Sequence, residues 1–154
     1  MKEISKKPDP NSKIAELCNL LDTKNFKAFV NTIKESPRYA TLLGTRPFHG
    51  ESEILIIKAV LWECLECVKV LVDNGANVNQ IMFLSESLFV YALMRHQFEI
   101  ALYLLTHGGA DPKKGNYAWH LRDYDEFLTE DKYDVLIDRL KSGDLKAPNS
   151  HPRC

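Results

Sequence analysis

Three glycines set the frame for this chain. Gly75 stands in Leu71-Val72-Asp73-Asn74-Gly75-Ala76-Asn77-Val78-Asn79, which reads as the end of a helix, a glycine stop and a tight polar turn. Gly109 stands in a looser copy, Leu104-Leu105-Thr106-His107-Gly108-Gly109-Ala110-Asp111-Pro112, 34 residues on. Gly143 follows after another 34 residues, in Leu140-Lys141-Ser142-Gly143-Asp144. Helix-ending glycines in step mark a chain built of repeated units, none of which can bury its apolar face alone.

The segments between the glycines support this reading. Leu65-Glu66-Cys67-Val68-Lys69-Val70-Leu71-Val72 and Phe98-Glu99-Ile100-Ala101-Leu102-Tyr103-Leu104-Leu105 superpose at a shift of 33, and Ala59 and Ala92 match at the same shift. The nearly all-apolar Glu53–Trp62 fits a buried strand or a buried helix equally by periodicity. The repeat decides for helix, because its counterpart Ser87–Arg95 precedes an equally helical partner. Each unit therefore reads as two antiparallel helices, an inner and an outer, joined by a short turn.

Upstream, Ile14, Leu17, Cys18 and Leu21 share one helical face, and Phe26, Phe29, Val30 and Ile33 share another. The second of these helices ends before Ser36-Pro37, because a proline disfavours helix in the residue ahead of it. Residues 36–53 form the longest irregular stretch, and long loops in compact domains often carry function. Downstream, Gly115–Leu121 opens an inner helix. An acidic link, Arg122–Asp131, leads to an outer helix over Asp134–Leu140 with Val135, Leu136, Ile137 and Leu140 as its apolar positions. Setting Gly143 on Gly108 places Asp138 on Tyr103 and Arg139 on Leu104. Charge thus replaces apolar residues in the last unit, as a terminal repeat facing water requires.

With these units in place, the chain resembles the ankyrin-repeat family. Leu65–Val72 with Asp73-Asn74-Gly75-Ala76-Asn77-Val78-Asn79 is similar to the second half of its consensus, and Phe98–Leu105 with Gly109-Ala110-Asp111 repeats the match. The helix starts Ile54-Leu55-Ile56-Ile57 and Ser87-Leu88-Phe89-Val90 lack the family's Thr-Pro-Leu-His. Such decay is similar to that of diverged viral, bacterial-effector and NF-kappa-B-inhibitor-like ankyrin proteins, which would make the chain an inhibitor or a factor in host–virus interaction. The resemblance implies an all-α fold, an ankyrin-repeat solenoid of stacked αα-hairpins with short β-hairpin fingers. The expected organisation is a flexible N-terminus over 1–11, a divergent N-cap repeat over 12–45, internal repeats over 50–82 and 83–115, an acidic C-cap repeat over 116–146, and a flexible tail over 147–154.

The resemblance further implies a non-enzymatic protein–protein interaction module. Finger tips and inner helices would form a concave face that binds another protein, inhibiting or scaffolding it. The second finger is unusually greasy for this family, with Ile81-Met82-Phe83-Leu84 at its tip, and exposed apolar patches mark contact sites. Ile81, Met82 and Phe83 are therefore expected to contact the partner. Tyr39, Arg46 and Phe48 on the first finger and Tyr117 and Trp119 on the third are expected to join them, since aromatic residues and Arg dominate binding hot spots. The bland alternative for the second finger is that the neighbouring long loop or an oligomer partner covers it, or that it folds onto the inner helices; for the first, that its residues pack an unusually long finger.

Rival readings rest on other residues. Cys64-Leu65-Glu66-Cys67 supplies half of a four-ligand zinc site, so a metal- or thiol-dependent effector enzyme using Cys64 and Cys67, or the acidic cluster, is one. Cys67, however, stands where the consensus has a core Val. The acids Asp123, Asp125, Glu126, Glu130, Asp131 and Asp134 could meet a basic partner or merely solvate a helix; their spacing does not fit a calcium loop. A structural subunit of a larger assembly is the other rival. The five histidines form no nucleophilic or metal arrangement, and no glycine-rich phosphate loop precedes a helix.

Composition sets the remaining expectations. A net charge of −1 gives no general pull toward nucleic acid or membrane, although Met1–His49 holds nine Lys or Arg against five acids. No apolar run reaches the roughly 18 residues that span a bilayer. Four cysteines are too few for a disulfide framework, so a reducing compartment is expected, cytoplasmic or nuclear. No cofactor, small-molecule substrate, direct nucleic-acid contact or membrane contact is expected, and the chain should be a monomer or weak oligomer.

Overall fold

The computed structural model of the chain describes residues 10–46, 50–82, 86–122, 124–125 and 128–145. Helix α1 spans Pro10–Asp22 and α2 spans Phe26–Glu35. A 3-10 turn over Pro37–Thr41 leads to strands β1 (Gly44–Arg46) and β2 (Gly50–Ser52). The remaining helices are α3 (Ile54–Leu61), α4 (Leu65–Asp73), α5 (Leu88–Met94), α6 (Phe98–Thr106), α7 (Tyr117–His120) and α8 (Glu130–Ser142). The fold is an ankyrin-type arrangement of helical hairpins with a small antiparallel finger. The chain divides into two compact units between Asn77 and Val78.

In the first unit, α1 packs on α2 and α3 on α4, which makes two hairpins. These stack with α1 against α3 and α2 against α4. The faces anticipated from spacing are the buried ones: Ile14, Leu17 and Leu21 on α1, and Phe29 and Ile33 on α2. Leu55, Ile56, Ala59 and Val60 of α3 meet Cys67, Val68 and Leu71 of α4 in the same core. Ala59 is fully buried, as is its counterpart Ala92 in α5, so each hairpin has a small residue at its core.

The second unit repeats the plan. Helices α5 and α6 form one hairpin, α7 packs on α5, and α8 packs on α6. The core positions of α4, α6 and α8 run in steps of 33. Cys67, Ile100 and Tyr133 are buried, as are Leu71, Leu104 and Ile137. This corrects the register expected for the last unit: Ile137, not Arg139, takes the place of Leu104. It also corrects the core list, since Tyr133 is fully buried while Val135 is 57% exposed. Helix α8 begins at Glu130, inside the stretch expected to be a link, because the Thr129 side chain accepts a hydrogen bond from the Lys132 amide and caps it.

The glycines behave as their spacing implies. Gly75, Gly109 and Gly143 have φ of +93°, +70° and +85°, a left-handed conformation that side chains with a Cβ disfavour. The additional glycine, Gly108, has a different cause. A Cβ there would lie 2.8 Å from both the Leu104 carbonyl oxygen and Val78 Cγ1.

The turn within each hairpin is left-handed too, but without glycine. Lys24, Glu63 and His96 have φ of +61°, +57° and +59°. Glu63 and His96 are again 33 apart, and Lys24 puts the same turn into the divergent first hairpin. A non-glycine residue in this region is disfavoured by about 1–2 kcal/mol. Glu63→Gly, at an exposed position, should therefore stabilise the chain by about 0.5–1 kcal/mol once glycine's larger unfolded-state entropy is subtracted. Urea denaturation of the two proteins measures the difference.

Much of the stretch expected to be irregular is regular: a 3-10 turn over Pro37–Thr41 and two strands, Gly44–Arg46 and Gly50–Ser52. Strands β1 and β2 pair antiparallel with Gly44 opposite Ser52, Thr45 opposite Glu51 and Arg46 opposite Gly50. The turns after Gly75 and Gly109 are each tied down at the second residue after the glycine. The Asn77 amide donates to Glu53 Oε1 at 2.9 Å, and the Asp111 amide donates to Asn79 Oδ1 at 2.8 Å. Such backbone ties keep a projecting turn from fraying.

Candidate protein-binding surface

The eight residues expected to meet a partner occupy different environments. Arg46 ends β1 opposite Gly50, at the turn end of the first finger, and is half-buried. Tyr39 is not on that finger. It lies in the 3-10 turn after α2, with Lys13 Nζ 5.3 Å and the Arg38 guanidinium 5.0 Å from its ring centre. Its half-buried ring thus already has two cations of its own chain within cation–π reach. Phe48 and Phe83 fall outside the described residues, as does Leu84.

The second finger turns inward more than its sequence suggests. Ile81 bridges antiparallel to Ser87, and the Met82 amide donates to the Glu86 carbonyl at 2.6 Å. In extended chain successive side chains point to opposite faces. Ile81 is accordingly half-exposed while Met82 is only 2% exposed. The expectation that Met82 stands at an exposed tip is therefore corrected: it belongs to the core of the second unit. Next to it, Ser87 accepts a hydrogen bond from the Val90 amide at 3.1 Å and caps α5.

Tyr117 and Trp119 lie on α7, not on a finger. Tyr117 stacks on Tyr133 with ring centres 4.0 Å apart, and the Tyr133 hydroxyl donates to the Pro112 carbonyl. Burial pushes the Tyr133 phenol well above its ordinary pKa. Tyr117 is thus half-consumed by packing. Trp119 is different. It is 48% exposed, and the Arg122 guanidinium lies 4.1 Å from its ring centre while Arg122 Nη1 donates to the Trp119 carbonyl at 2.8 Å. An exposed indole held flat under a cation loses little freedom on binding, which suits it to contact another surface.

The acidic stretch is partly neutralised from within. Lys113 Nζ lies 2.7 Å from Glu130 and 3.0 Å from Asp134, one turn apart on α8, and Lys132 lies 2.9 Å from Asp125. Glu130 and Asp131 also occupy the first turn of α8, where the helix dipole favours negative charge. Asp123 and Glu126 fall outside the described residues. A basic partner would compete with these internal pairs.

One polar pair was not anticipated. His120 Nδ1 lies 3.4 Å from Glu86 Oε2, and both side chains are buried. Burial raises the Glu86 carboxyl above its ordinary range, and the facing His120 opposes that rise. In sequence the two looked like an unremarkable loop acid and a scattered histidine; only the packing of α7 on α5 brings them together.

Among the described residues, no group of three or more His, Cys, Asp or Glu side chains is placed to hold a metal ion. No helix among them is long and apolar enough to cross a membrane. Residues 55–82, which hold α3, α4 and the turn through Gly75, match the model of the ankyrin repeat family. That family consists in general of protein–protein interaction modules and is typically non-enzymatic. No curated protein and no solved structure matches the chain.

Proposed function

We propose that this chain is a non-enzymatic protein-interaction module of four ankyrin repeats, over 12–45, 50–82, 83–115 and 116–146, that works by covering a surface of another protein. It acts as an inhibitor or scaffold, as a monomer or weak oligomer, in the cytoplasm or nucleus. Within the second unit, Trp119 on α7 and the finger carrying Ile81 and Phe83 make the contact. The observation that carries the reading is the ankyrin repeat at residues 55–82, joined in the same chain by a half-exposed tryptophan stacked on arginine. Tryptophan and arginine are the residue types that most often dominate binding energy.

The test is capture of partners from a lysate by wild type beside an Ile81→Asp, Phe83→Asp double variant, after circular dichroism has shown that both are folded. A charge in a desolvated contact typically removes about 2 kcal/mol or more, so specific partners should drop at least about tenfold. Capture of the same partners at the same level by the double variant would remove the second finger from the binding surface.

A further inference from the structure

The two sulfurs of the first unit hold a second chemistry. Cys64 is the residue immediately before α4, and Cys67 is three residues on, in its first turn. Residues three apart on a helix are neighbours. Here the approach is closer than neighbours need: Cys64 Sγ and Cys67 Sγ lie 2.6 Å apart, and the Cys67 amide donates to Cys64 Sγ at 3.2 Å. A disulfide bond spans about 2.05 Å. The backbone therefore delivers both sulfurs almost to bonding distance, although both are free thiols in this structure.

Access is unequal. Cys67 is fully buried, and burial raises its thiol far above the ordinary range. Cys64 lines a largely apolar cleft of about 420 Å³ whose other walls are Phe26, Lys27, Val30, Asn31 and Glu66. This cleft explains why Phe26 and Val30, on the apolar face of α2 by spacing, are only half-buried. The pair therefore has one residue at the wall of the cleft, 8% exposed, and one fully buried beside it. That is the arrangement of an attacking and a resolving cysteine.

We propose that Cys64 and Cys67 form a reversible dithiol–disulfide site that exchanges with small disulfides of the glutathione class entering through this cleft. The Cys64 thiolate attacks one sulfur of the small disulfide, whose S–S bond breaks and releases one thiolate, which takes up a proton. Cys67 then attacks the Cys64 sulfur, and its proton passes to the second small thiolate as that leaves and the Cys64–Cys67 bond closes. Two protein thiols are oxidised by two electrons in all, and one small disulfide is reduced to two thiols. The site is independent of the partner-binding reading.

The experiment uses the full chain, reduced and then treated with excess glutathione disulfide at neutral pH. Residues 59–69 form one tryptic peptide that contains both cysteines and no internal Lys or Arg. In wild type this peptide should become two hydrogens lighter, resist alkylation, and regain both reactive thiols after reduction. Cys67→Ser should retain glutathione on Cys64, since nothing resolves the mixed disulfide. Cys64→Ser should leave Cys67 unmodified. A wild-type peptide still alkylated at both thiols overturns the proposal, as does glutathione held stably on wild-type Cys64. Faster uptake on Cys67 of Cys64→Ser than on Cys64 of Cys67→Ser overturns the assigned order.

Discussion

Phe29→Ala should destabilise the chain by about 3–5 kcal/mol, the range for removing a buried aromatic ring from a core that cannot collapse around the void. Phe29 is fully buried on α2, and α2 packs against both α1 and α4. The ring therefore joins the first hairpin to the second. A denaturant midpoint that falls with little change in slope would report lost packing in a cooperative structure. A loss under about 1 kcal/mol would mean that the first hairpin is not stacked as described, since only a surface position tolerates such a truncation.

The second large effect concerns Glu86 and His120. His120→Leu leaves a buried carboxylate without its facing imidazole, and breaking a buried pair from one side typically costs about 3–5 kcal/mol. Replacing both with leucine should recover much of that loss, because no buried charge then remains. The pH dependence has a definite sign. Burial raises the Glu86 carboxyl in the folded chain, so the native state binds this proton at a higher pH than the unfolded state does. The penalty of the buried carboxylate is absent below the ordinary carboxylate range and grows as pH rises through the raised folded value. Removing His120 takes away the interaction that holds the value down. The gap in stability between wild type and His120→Leu should thus be widest near neutral pH and narrow on acidification.

Asp22 works in the opposite direction. The Lys58 hydrogen bond, assisted by Trp62 Nε1, holds its carboxyl below the ordinary range, so its contribution is lost as pH falls. It is the same in both proteins and cancels in the comparison. Thermal or urea unfolding of the three proteins across pH measures the gap. A gap that widens on acidification would contradict the account of Glu86.

The repeat was legible because its strongest constraints are local. A glycine that must be left-handed and an outer helix that must bury every third or fourth residue leave marks in sequence, and Gly75, Leu71 and Leu104 carry them. Tyr133 was hidden because Asp131, Lys132 and Asp134 surround it, so its window reads as a polar helix start. The core register of 33 recovers it from Cys67 and Ile100. The turns at Glu63 and His96 left little composition signal, since neither is glycine and glutamate has no leaning toward a left-handed backbone.

The candidate surface was less legible, because exposure depends on contacts that no spacing encodes. The apolar run at 81–84 looked uniform, yet one antiparallel bridge turns Met82 inward and leaves Ile81 half-exposed. Tyr39 and Tyr117 looked available, but two nearby cations engage one and Tyr133 takes part of the other. Trp119 is the aromatic that the sequence nominated and that stands half-exposed among the described residues.

Helices α7 and α8 provide a matched comparison for the claim that a partner is held on the finger and first-helix side. Trp119 on α7 and Val135 on α8 are 48% and 57% exposed, so neither substitution should disturb the core. The direct measurement is the affinity of a captured partner for Trp119→Ala beside Val135→Ala. The account predicts a loss of at least about tenfold for Trp119→Ala and wild-type affinity for Val135→Ala. Full affinity in Trp119→Ala with a comparable loss in Val135→Ala would place the partner on the outer helices and contradict it.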